Sequence, residues 1–91
     1  MFEKIKELLS EIETCPNIYV SQGTTYTKAT YETEYHRVLS FRVIRRGATY
    51  IDNVLYKATC SEKDSEDKLK KILEGLESLK ERIWRFSWHG R

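Results

Sequence analysis

Four side chains in this 91-residue sequence have the chemistry of nucleophiles, bases or metal ligands: Cys15, Cys60, His36 and His89. A catalytic pair needs hydrogen-bond contact and a third group that orients the base. No spacing here brings a cysteine to a histidine, and His89 lies close to the end of the sequence, where chains fray. A zinc site needs about four ligands at recognised intervals. The two cysteines are far apart and neither belongs to a Cys-x-x-Cys pair. Two free thiols are the plainer reading, with a disulfide left open because both sit at element ends. The paired carboxylates Glu32/Glu34, Glu62/Asp64 and Glu66/Asp67 are accounted for by solvation or helix capping. Gly23, Gly47, Gly75 and Gly90 are scattered and form no phosphate-cradling loop. The expectation is a non-enzyme with no catalytic residue, no metal and no cofactor.

Two basic clusters have the chemistry of binding. Arg42, Arg45, Arg46 and Lys57 gather on and around a hairpin, with Arg37 and His36 near its base. Cations fixed on a ribbon can contact phosphates, and Tyr26, Tyr31 and Tyr35 nearby can stack on bases. These six basic residues are the expected nucleic-acid-binding set. The second cluster is the C-terminal Lys80, Arg82, Arg85 and Arg91, interleaved with Trp84, Phe86, Trp88 and His89. Large aromatics with arginine are typical of interface anchors. Leu76, Leu79, Ile83, Trp84, Phe86 and Trp88 are therefore the expected interface of a two-fold homodimer.

The elements that must position these residues follow from periodicity. Phe2, Ile5, Leu8, Leu9 and Ile12 recur at three- and four-residue steps, which predicts a helix over 2–13 ended by the only proline, Pro16. Residues 18–60 are dense in Thr, Tyr, Val and Ile and read as strands. A short strand covers 18–22, Gly23 reads as a turn, and 24–33 reads as an edge strand or a loop. A hairpin runs from Tyr35 through a two-residue turn at Arg46-Gly47 to Cys60, pairing Arg45 with Ala48. One of its faces then carries Leu39, Phe41, Val43, Tyr50, Val54, Tyr56 and Ala58. The other carries His36, Val38, Ser40, Arg42, Ile44, Ile51, Leu55 and Lys57, unless Asp52-Asn53 marks a bulge that shifts the register. Ser61 to Asp64 reads as the cap of a last helix over about 62–86. Its stripe is Leu69, Ile72, Leu76, Leu79, Ile83 and Phe86, and at about 1.5 Å per residue it overhangs the sheet.

Composition sets the frame. Hydrophobic residues make up 40% and charged residues 33%, which excludes a disordered chain. Sixteen Lys and Arg against fourteen Asp and Glu leave +2, neither demanding a polyanion partner nor forbidding one. No apolar stretch reads as a secretory signal or a membrane span, so the expectation is a soluble, intracellular, cytoplasmic protein with no membrane role. Few thermolabile residues and many charges fit a thermophilic source, although an AT-rich genome gives the same bias.

The fold class is α+β: a single two-layer domain over 1–91, with a helix, three or four antiparallel strands and a long C-terminal helix. The order resembles that of the double-stranded-RNA-binding domain. In that family the last helix begins with basic residues, whereas Glu62, Asp64, Glu66 and Asp67 stand here, so the resemblance stops at element order. The expected function is a small binding protein associated with nucleic acid through the basic hairpin. The alternative is a protein-interaction module, a regulator or inhibitor of a larger complex of the size common in viral and mobile-element proteins. It would use the aromatic helix end or the mixed sheet face.

Overall fold

The computed structural model describes residues 1–47 and 53–89, with side chains of the last helix described as far as Arg85. The element order is α1 (Phe2–Glu13), β1 (Ile18–Thr27), β2 (His36–Arg45), β3 (Asn53–Ser61) and α2 (Glu66–His89). It is an α+β arrangement with three antiparallel strands in one sheet, ordered β1-β2-β3.

The helix α1 forms because its apolar spacing buries one face: Phe2, Ile5, Leu8, Leu9 and Ile12 all lie inside. It ends where the Cys15 N–H bonds the Ile12 carbonyl at 3.0 Å and Pro16 forbids another turn. Asn17 then takes φ 63, a left-handed conformation that asparagine tolerates, and the chain reverses into β1. The strand β1 runs straight through Gly23 for ten residues, in unbroken register with β2 from Ile18↔Arg45 to Thr27↔His36. The turn expected at Gly23 is absent, and 24–27 is strand.

The β2–β3 connection differs from the expected two-residue turn. Arg45 pairs with Asn53, so the connection covers 46–52. A tight primed turn would need positive φ at Arg46 and Gly47. Neither has it. Instead the Arg46 N–H bonds the Asn17 carbonyl at 2.9 Å, extending the β1–β2 ladder by one step. Ala48, Tyr50, Ile51 and Asp52 lie outside the described residues. A bulge does interrupt β3, two residues later than Asp52-Asn53. Val43 opposes Tyr56, whereas Ile44 opposes Val54, leaving Leu55 as the extra residue. The bulge exchanges two positions. Leu55 packs toward the core with Tyr56 and Ala58, and Val54 shares the opposite face with Ile44.

The helix α2 begins at Glu66, four residues later than expected. Ser61–Asp64 is a turn of its own, closed by the Ser61 N–H on the Asp64 carboxylate at 2.8 Å. The cap is Ser65, whose hydroxyl accepts the Lys68 N–H at 3.2 Å. Glu66 and Asp67 in the first turn complement the helix dipole. Leu69, Ile72, Leu76, Leu79 and Ile83 then pack with the buried face of α1 and with Val20, Leu39, Phe41, Val43 and Cys60 of the sheet. Both helices therefore lie on one side of the sheet, and the core sits between the layers. Each of these aliphatic side chains contributes about 1.5–3 kcal/mol by leaving water. The molecule is elongated, 54 × 26 × 16 Å.

Candidate nucleic-acid interface

Side chains alternate along a strand, so those facing away from the helices form the second surface of the sheet. From β1 it carries Tyr19, Ser21, Gly23 and Thr25; from β2, Ser40, Arg42 and Ile44; from β3, Lys57 and Thr59. Arg42 stands directly opposite Lys57 and directly opposite Ser21. Both cations are exposed, and among the described residues neither has an ion pair or hydrogen bond through its side chain. The Ser40 and Thr59 hydroxyls meet at 3.0 Å beside them. Around this pair runs a shallow groove of about 640 Å³, bordered by Ser21, Gly23, Ser40, Arg42, Lys57 and Thr59. Gly23 has no atom within 4 Å of where a Cβ would stand, which keeps the β1 side of the groove open. At one end the Arg46 guanidinium lies over the Tyr19 ring, 4.9 Å from its centre.

The other expected cations have different surroundings. Arg37 is held inside the molecule's own charge network, 2.7 Å from Glu3 and 3.4 Å from Glu62, with its guanidinium 5.0 Å over the Phe2 ring. Its backbone N–H also donates to the Glu62 carboxylate. Glu3 and Glu62 raise the pKa of its guanidinium above the ordinary arginine value. His36 faces carboxylates: its Nδ1 lies 3.5 Å from Glu32, which accepts a 2.5 Å hydrogen bond from Lys63. Lys63 pulls the Glu32 pKa down, the Arg37 N–H does the same for Glu62, and the Ser61 N–H for Asp64. Arg45 is exposed at the end of β2, between Ile18 and Asn53. Of the six basic residues, the structure thus brings Arg42 and Lys57 together and sets Arg46 on the same face. Arg37 and His36 belong to a clamp between α1, β2 and the β3–α2 turn.

The tyrosines separate as well. Tyr26, Tyr31 and Tyr35 are exposed beyond the groove, and Lys28 lies 5.3 Å over the Tyr35 ring. In α2, Leu76, Leu79 and Ile83 are buried in the chain's own core at 0%, 4% and 6% exposure, so they present no surface to a second copy. Trp84 is 46% exposed, in a groove between the helices with Leu8, Glu11 and Lys80, the last two paired at 2.6 Å. Phe86 and Trp88 lie in the last turns of α2, and their side chains are outside the described ones. Cys15 and Cys60 are buried free thiols. Burial raises the pKa of both, which keeps them protonated and poorly nucleophilic. Among the described residues, no three His, Cys, Asp or Glu stand close enough to hold a metal ion. No described helix is long and apolar enough to cross a membrane.

Tyr19, Ser21, Ser40 and Thr59 complete the surface although no sequence motif singles them out. A compositional signal does point to them: none of the three strands contains an Asp or Glu, whereas the chain has fourteen. Comparison with protein-family models, with curated proteins and with solved structures finds no match to this chain.

Proposed function

We propose that this protein binds nucleic acid through the open face of its sheet and catalyses no reaction. The observation that carries the reading is the Arg42–Lys57 pair. It consists of two cations on neighbouring strands, uncompensated by any carboxylate of the described residues, in an open groove edged with hydroxyls. Unpaired cations side by side repel each other, and a phosphate between them removes that repulsion. A guanidinium offers two parallel donors to a phosphate, and serine and threonine hydroxyls donate to the remaining oxygens. Arg46 on Tyr19 extends the basic surface along the same face.

Salt dependence tests this. Binding of labelled single-stranded and duplex DNA and of RNA is measured by anisotropy across a salt series. Each lost phosphate contact flattens the slope of log K against log salt by about 0.7 on a single strand and about 0.9 on duplex DNA. Arg42→Glu with Lys57→Glu is expected to remove about two such contacts. Arg82→Ala with Arg85→Ala is expected to change the slope less. Unaltered binding by the first double variant, or no binding by wild type at low salt, rejects the reading.

A second reading rests on Trp84. An indole left half in water beside the apolar Leu8 and the Lys80–Glu11 pair has the character of a protein-contact anchor. Binding to a partner protein that survives nuclease and high salt, and is lost in Trp84→Ala, favours this alternative.

A further inference from the structure

The order β1-β2-β3 leaves two sheet edges. Natural proteins block such edges with charge, proline or a bulge, because the exposed N–H and C=O groups otherwise pair with another chain. The β3 edge has both Lys57 and the bulge at Leu55. The β1 edge has none of these: Ile18–Thr27 contains no charged residue, no proline and no register shift.

Hydrogen bonding shows which groups of β1 point outward. The Asn17 carbonyl takes the Arg46 N–H of the β2 side, so odd-numbered residues of β1 face β2. Even-numbered residues face out, and the N–H groups of the first two are already bonded within the chain. The Ile18 N–H donates to the Cys15 carbonyl at 3.3 Å, and the Val20 N–H to the Glu13 carboxylate at 3.2 Å. The outward groups of Gln22, Thr24 and Tyr26 have no partner among the described residues. The free edge is therefore a short stretch centred on Thr24, stopped on one side by the Glu13 cap and on the other by the end of β1 at Thr27.

We propose that this stretch pairs antiparallel with its own copy about a two-fold axis at Thr24, joining two three-stranded sheets into one of six strands. Thr24 then opposes Thr24 of the partner subunit, and Gln22 opposes Tyr26 of the partner subunit, in both directions. All three are narrow pairs in which each residue exchanges two hydrogen bonds, so the outward groups of Gln22, Thr24 and Tyr26 are all satisfied. No other even-residue axis does this. Centring on Gln22 brings Thr24 against the capped Val20, and centring on Tyr26 runs beyond the strand. Of the odd-residue axes, centring on Gly23 leaves Tyr26 against the capped Val20, and centring on Thr25 leaves Gln22 against residue 28, beyond the strand. The strand carries no charge, so like charges never meet across the axis, and a threonine pair is favourable there. A two-fold contact also closes both edges at once, which a heterologous strand leaves undone. The axis is normal to the sheet, so both helix layers lie on one side. The two Arg42–Lys57 pairs share the other side, with their arginines about 25 Å apart from strand spacing and rise.

Light scattering and cross-linking test the contact. Wild type is expected at twice the 10.8 kDa chain mass. Thr24→Lys, at an exposed side chain, is expected to be a folded monomer by circular dichroism and mass. Thr24→Pro removes only an outward N–H and is expected to do the same. Thr24→Cys is expected to cross-link to itself under mild oxidation. Opposed residues of a narrow pair have Cα atoms about 5.5 Å apart, within disulfide reach. Tyr26→Cys is expected not to, since its two copies are about 14 Å apart along the strands. A wild type of single-chain mass at its highest soluble concentration overturns the proposal. So does a dimer that survives Thr24→Lys, or a Thr24→Cys dimer that fails to cross-link.

Discussion

At position 75 the long helix carries a glycine where an alanine has the better intrinsic propensity by about 1 kcal/mol. The reason is Tyr56, whose ring stacks on Phe41 and lies against α2. A Cβ at Gly75 would stand 2.9 Å from the Tyr56 hydroxyl oxygen and 3.0 Å from Cε2. Gly75→Ala is expected to destabilise the protein by up to about 2 kcal/mol, since overpacking costs about 1–3 kcal/mol and the propensity gain offsets about 1. In a Tyr56→Ala background the same substitution is expected to stabilise. Urea unfolding of the four proteins of this double-mutant cycle checks the sign change. This contact is invisible in the sequence, because Gly75 and Tyr56 belong to elements whose mutual placement no local pattern encodes. At the same scale, Arg42 and Lys57 are legible as one-face residues by alternation, but their direct opposition is not. It depends on the bulge at Leu55, which changes the parity of the strand beyond it.

The helices are the elements the sequence announces most clearly. The apolar recurrence from Phe2 to Ile12 is long, strong and ended by Pro16, and α1 spans the expected residues. The sheet is less plain because its punctuation is ambiguous. Gly23 has the residue type of a turn but φ is not positive there, and the strand uses it without bending away from β2. Arg46-Gly47 has the look of a tight turn, yet Arg46 continues the ladder. The start of α2 is expected at the Ser61 cap, whereas the structure places the cap at Ser65. Ser61 still belongs to β3 and its N–H is taken by Asp64, which leaves Ser65 to cap. Ser65→Ala is expected to cost about 1 kcal/mol of unfolding free energy, as lost N-caps do. Glycine in its place is expected to cost only a few tenths. Chemical denaturation with helicity followed by circular dichroism measures both.

Across the whole molecule, the far ends of α1 and β2 and the β3–α2 turn are tied by one set of charges. Arg37 bridges Glu3 and Glu62, Lys63 holds Glu32, and Lys68 lies 3.1 Å from Asp64. The pKa values of Glu32, Glu62 and Asp64 lie below the ordinary carboxylate values, held there chiefly by Lys63, the Arg37 N–H and the Ser61 N–H respectively. A carboxylate that titrates lower in the folded state stabilises above its unfolded pKa and loses that contribution as pH falls through the folded one. Stability is therefore expected to hold at neutral pH and to decline from about pH 4.5 downward. The thermal midpoint across this range measures it, and Glu62→Gln with Asp64→Asn is expected to flatten the decline. A single sequence names these charges but not their pairing. Arg37 and His36 therefore look available for phosphate although the folded chain surrounds them with carboxylates.

The division of charge between the layers has a kinetic consequence. The helices mix both signs, whereas the strands hold cations alone, so a molecule of net charge only +2 is electrically lopsided. Weak overall charge gives little long-range pull toward a polyanion. Within about a Debye length, roughly 8–10 Å, the uneven distribution exerts a torque that turns the sheet toward the negative surface before contact. Rotational search is then shortened, so fewer encounters are wasted on the helical side. That gain fades as salt shrinks the screening length, and it appears in the association rate before it appears in the lifetime of the complex.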